Sequence, residues 1–209
     1  MSTTTSAKPL TAAQLKKLLA ERSKDEIIEF LLSLYKSSAA VKQAISAVLS
    51  EDYAMQLLED AKKKLDKIFF PANIARTGFS LKEAKAVVSN FVKVCPNDRL
   101  VARLNFHFAK NAVDFTNDFG DIDEPFYNAL ANHFANAAEV IALYPDMREE
   151  FMPQLEKLVD CVKRIFLRDS GRFKRGIHTF SKIDNFSFLV NNFTIVKYIT
   201  HFFYNLNIK

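Results

Sequence analysis

The chain has 209 residues, 49% hydrophobic and 25% charged, a balance that permits a sizeable core and excludes wholesale disorder. Only four glycines and six prolines occur, where average usage of about 7% and 5% would supply roughly 15 and 10, so a glycine-rich phosphate loop or a many-turned β-sandwich has little material. The formal charge is +5, but residues 1–142 carry 18 Lys+Arg against 17 Asp+Glu while residues 143–209 carry 11 against 7, which makes the basic excess a feature of the C-terminal part.

The first residues, MSTTTSAKPL, lack the basic start and apolar run of a secretory signal, so a cytoplasmic location is expected. Residues 1–9 read as a disordered leader. Thr11 can cap a helix with Leu15, Leu18 and Leu19 on one side, ending near Arg22. Ser23 to Glu26 is an S-x-x-E capping box, and Ile27, Ile28, Leu31, Leu32, Leu34 and Tyr35 follow as a strongly amphipathic helix. Ser38 opens a shorter one through Val48. Ser50, with Glu51 and Asp52 in the first turn, starts a helix whose stripe is Leu57, Leu58, Ala61, Leu65 and Ile68, and Pro71 stops it.

Residues 71–79, PANIARTGF, read as a connection. Ser80 to Glu83 is a second S-x-x-E box, with Leu81, Ala84, Val87, Val88 and Phe91 inward. After Pro96 and Asn97 a long helix runs to Phe119, because Leu100, Leu104, Phe108, Ala112, Phe115 and Phe119 recur every three or four residues and Gly120 suits the C-terminal position. Asp123 caps the next, which tolerates Pro125 in its first turn and ends near Leu143. Pro145 introduces the last clear helix, in which Pro153 either kinks the chain or delays the start. The pattern predicts an all-α fold, about eight helices in antiparallel pairs forming a bundle or short helical stack over residues 10–168. No fixed internal repeat is present. Cys95 and Cys161 lie among apolar positions outside any zinc or redox spacing and read as buried thiols.

Ala142 is the last alanine, and from Arg168 the composition turns to Phe, Asn, Ile and Lys. Residues 169–209 form a basic, aromatic-rich tail without a clean period. Residues 186–206 are apolar enough to raise a tail anchor, but Asn191, Asn192, Lys197 and His201 are costly at bilayer depth, so membrane association is not expected.

LKKLLAERSKDEIIEFLLSLY at 15–35, AKKKLDKIFFP at 61–71 and above all NAVDFTNDFGDIDEPFYNAL at 111–130 resemble a family of small bacterial proteins known as a domain of unknown function. The resemblance covers roughly residues 10–160 and implies an all-helical fold. It brings no activity, ligand or catalytic residue, and the tail from Arg168 does not match it.

The most enzyme-like pattern is Arg103, His107, Asn111, Asp114 and Asp118 on one face of the 97–119 helix. Were His133, flanked by Asn132 and Asn136, to face them, His107, Asp114 and His133 would make a metal or polar-ligand pocket. The bland alternative is a solvated face of ordinary charge pairs. Asp118, Asp121, Asp123 and Glu124 lack the EF-hand pattern, and helix capping accounts for Asp123 and Glu124. Phe119, Asp121, Asp123, Phe126 and Tyr127 offer a surface for a protein partner, against which stands plain interhelix packing. Between Lys163 and Lys182, Arg168, Arg172, Lys174 and Arg175 are interleaved with aromatics, as phosphate contact and base stacking require. No Walker, dinucleotide, HExxH or nucleophile-elbow motif occurs, so no cofactor is implied. A helical interaction or structural protein is the leading expectation, with nucleic-acid association and the histidine pocket as alternatives.

Overall fold

A computed structural model describes residues 8–120 and 122–168, the side chains of Glu124 and of residues 162–168 apart. The described residues form nine α-helices and no strand: α1 (Ala12–Ala20), α2 (Lys24–Ser37), α3 (Ala39–Leu49), α4 (Glu51–Phe69), α5 (Ile74–Thr77), α6 (Leu81–Val94), α7 (Asp98–Phe119), α8 (Glu124–Leu143) and α9 (Pro145–Arg168). The all-α expectation holds.

Local chemistry sets the helix starts. Thr11 and Ser23 form complete capping boxes, in which Gln14 and Glu26 return a bond to the cap backbone. At Ser50 and Ser80 the hydroxyl accepts from Tyr53 N and Glu83 N, the forward half of the motif. Asn97 accepts from both Arg99 N and Leu100 N, and Asp123 accepts from Phe126 N at 2.9 Å. Gly120 ends α7 at φ 83, a conformation that side chains with a Cβ rarely adopt. The 71–79 connection contains the single turn α5, capped by Asn73 and closed by Gly78 at φ 68. Pro153 lies inside α9, which starts at Pro145, so it does not delay the helix.

The described residues divide into two compact units, with the boundary between Ser46 and Ala47. In the first, α1 and α2 contain no buried residue. Ile28, Leu31 and Leu32 of α2 are exposed, as are Leu15 and Leu18 of α1. Within this unit the Lys42 ammonium sits over the Tyr35 ring at 5.6 Å.

The second unit is built around α7, which packs on α4, α6, α8 and α9. Its buried side extends beyond one stripe to take in Ala102, Asn105, Phe106, Ala109, Asn111, Val113 and Thr116. Small alanines here let neighbouring helices approach on several sides, while phenylalanines fill the spaces between them. Phe69, fully buried, meets Phe79 at 4.9 Å, Phe108 at 5.3 Å edge-on and Phe115 at 6.1 Å. Phe126 joins the cluster through Phe79 at 5.5 Å and Phe115 at 5.9 Å. Each fully buried side chain of this size contributes roughly 1.5–3 kcal/mol by removal from water. Phe119, expected inward, is 47% exposed and stacks on Phe115 from the rim.

Candidate functional site

Helix α7 carries polar groups on two different sides, and each side meets a different neighbour. Asp66 of α4 lies opposite His107 and Asn111. Its Oδ1 accepts from His107 Nε2 at 2.6 Å and from Asn111 Nδ2 at 2.7 Å. Because an ionised carboxylate only accepts, the proton in the first bond sits on Nε2. One turn earlier, Arg103 grips Glu150 of α9 with both guanidinium nitrogens while its guanidinium lies 4.9 Å from the Phe151 ring centre. The Arg103 hydrogen bond holds the Glu150 carboxyl below its usual range, helped by the charges of Arg103 and Lys62 and opposed by burial. Arg99 pairs with Asp146 at the same helix interface.

The row at 103, 107 and 111 is therefore a cross-helix seam rather than a solvated face. Asn111 is buried, and Arg103 and His107 are partly so. Asp114 belongs to its own helix, taking Lys110 Nζ at 2.7 Å, and Asp118 is exposed.

His133 does not join this seam. It faces Asn105, two residues from His107 and so on the other side of α7. Asn105 Nδ2 donates to Val101 O at 2.9 Å, which leaves Oδ1 to accept from His133 Nδ1–H at 2.5 Å. Phe108 lies on the imidazole, ring centres 3.9 Å apart. Burial, with the Lys85 charge as a smaller contribution, pushes the His133 pKa down from 6.5 to about 4. His107, Asp114 and His133 are thus separated onto three sets of partners, and no metal-holding group of three ligands exists among the described residues.

The expected protein-contact residues also divide. Phe126 is a core side chain, 1% exposed, because it closes the aromatic cluster. Asp123 serves as the α8 cap, and the Tyr127 hydroxyl accepts from Ile122 N at 3.3 Å. Phe119 remains exposed, while Asp121 lies outside the described residues. Of the basic set, Arg168 ends α9; Arg172, Lys174 and Arg175 lie outside the described residues. Cys95 is a buried free thiol and Cys161 is partly buried.

Asp66, Asn105 and Glu150 were not singled out by sequence reasoning. Asp66 and Glu150 sit in charged runs that hide them. Asn105 alone left a signal, an amide in the middle of the apolar run of α7, where a buried polar group needs a partner.

No helix of the described residues is long and apolar enough to cross a membrane. Comparison with curated proteins and with solved structures finds no match. A family model, described as a family of unknown function (DUF6155), matches residues 10–181. That span runs past Arg168 and takes in Arg172, Lys174 and Arg175, so the first part of the tail is family sequence, contrary to the expectation that the likeness stops near residue 160. With this match over most of its length, the chain belongs to the DUF6155 family of unknown function.

Proposed function

We propose that the protein is a helical interaction protein whose α2 helix docks on a second copy of the same chain. The observation that carries this is that α1 and α2 have capped, amphipathic sequences and yet bury no residue. Isolated helices shorter than about 12–15 residues are marginal in water, and their stability comes from covering the apolar face. Here the face is Ile28, Leu31, Leu32 and Tyr35, spaced i, i+3, i+4, i+7.

Charge selects the occupant. Asp25, Glu29 and Lys36 lie along one flank of that stripe, acidic toward the start and basic toward the end. In an antiparallel two-fold pair like flanks meet, so Asp25 and Glu29 of one copy lie opposite Lys36 of the other. A partner with a uniformly acidic or basic rim would meet repulsion at one end.

The test is a charge swap. Glu29→Lys or Lys36→Glu alone weakens self-association about tenfold, as two symmetry-related rim pairs of about 0.5–1 kcal/mol each imply. The double variant restores it. Dimer constants from sedimentation that are identical in all four proteins, or a double variant as weak as the singles, overturn the antiparallel pairing.

A further inference from the structure

Beside His133 lies an open recess of about 440 Å³ between α6, α7 and α8, within the roughly 300–1,000 Å³ range of small-molecule sites. Val88 and Val92 of α6, Val101 of α7 and Val140 of α8 give it apolar walls. Lys85, Ser89, Asn136 and Glu139 supply polar groups, and His133 and Asn105 stand together in the lining.

The imidazole is held in one tautomer. The chain from Val101 O through the Asn105 amide to His133 Nδ1–H fixes the ring's proton on Nδ1. Nε2 then carries a lone pair. Among the described residues it has no protein partner, and no partnerless buried side-chain nitrogen or oxygen is present there, so Nε2 is not sealed from solvent, on a residue that lines the recess. With Phe108 packed on the ring and Asn105 bonded to its edge, that lone pair has a fixed direction before any ligand arrives. The Lys85 ammonium, close enough to act on His133, has no ion pair among the described residues.

We propose that this recess binds a small organic monoanion with an apolar body and a hydroxyl or N–H donor: Lys85 takes the carboxylate and His133 Nε2 accepts the donated hydrogen. The valines cover the apolar body. Glu139 on the same lining repels a second negative charge, which selects a carboxylate over a phosphate dianion. A His133 that stays neutral down to about pH 4 remains an acceptor throughout the physiological range. The site does not depend on self-association through α2.

The experiment titrates the full chain, with its histidines labelled with nitrogen-15, and follows the His133 ring nitrogens by NMR. Mandelate is the probe, a monoanion with an aromatic body and a hydroxyl. Phenylacetate removes the hydroxyl, and methyl mandelate removes the charge. Mandelate is expected to shift the Nε2 signal in a saturable way. Phenylacetate, methyl mandelate, and mandelate with the Lys85→Gln protein are each expected to bind about tenfold more weakly, the factor that corresponds to about 1.4 kcal/mol. Lys85 is exposed, so its substitution leaves the core intact. A free protein with the proton on Nε2 overturns the proposal, as does an Nε2 signal unmoved by millimolar mandelate or an equal response to all three compounds.

Discussion

Phe69→Ala is expected to destabilise the second unit by about 3–5 kcal/mol, the usual cost of removing a fully buried aromatic ring. Phe69 is 0% exposed at the end of α4, where its ring is shared among Phe79, Phe108 and Phe115. Truncation loses the transfer of the ring from water and leaves a cavity bounded by three other rings, two on α7 and one on the 71–79 connection, which cannot all move inward together. Phe119→Ala is the matched control, since that ring is 47% exposed and rests on Phe115 alone among the described rings; it should cost less than about 1 kcal/mol. Urea midpoints of the two variants check the pair. Equal losses would mean that Phe69 is not the centre of the cluster.

Acid is expected to weaken the fold well above the ordinary carboxylate range. Above pH 6.5 His133 is neutral in both the folded and the unfolded chain, and its environment adds no pH dependence. As pH falls from 6.5 toward 4, the unfolded chain takes up a proton that the folded site refuses, so stability falls with pH through that window. At about 1.4 kcal/mol per pH unit the loss approaches about 3 kcal/mol near pH 4. The charged neighbours on the recess are Lys85 from α6 and Glu139 from α8; on the α7 side Val101 and Asn105 are uncharged. Glu26 and Glu150, whose carboxyls are held below their ordinary value of 4.5, release their contributions only at lower pH. His133→Gln keeps a donor for Asn105 without a titrating ring, so its stability should be nearly flat between pH 6.5 and 4.5. A wild-type curve as flat as the variant's would contradict a buried neutral His133.

Most of the fold was legible because it is written locally. Thr11, Ser23, Ser50, Ser80, Asn97 and Asp123 each mark a helix start by a side chain that satisfies nearby amides. The turn α5 escaped notice because four residues cannot show a period. The site was less legible, since its geometry depends on which side of α7 meets which helix. Spacing put His107, Asn111 and Asp114 on one face, yet it carried no information that Asp66, forty-one positions before His107, would take the first two while Lys110 took the third. The histidine-pocket alternative requires His133 to lie opposite His107. A shift of two positions along α7, to Asn105, turned it through about 200° to a separate recess.

The sequence places the α2 stripe in a helical bundle and the structure leaves it exposed, because amphipathicity records that a face wants cover and not what covers it. Sedimentation equilibrium of the full chain and of Leu31→Glu therefore tests the central claim most directly. The account predicts a reversible dimer for the natural sequence. The glutamate variant, with a charge at the middle of each copy's stripe, should dissociate on the order of a hundredfold more readily while keeping its helical content. A natural chain that stays monomeric up to millimolar concentration, or a Leu31→Glu protein that dimerises equally well, would contradict it.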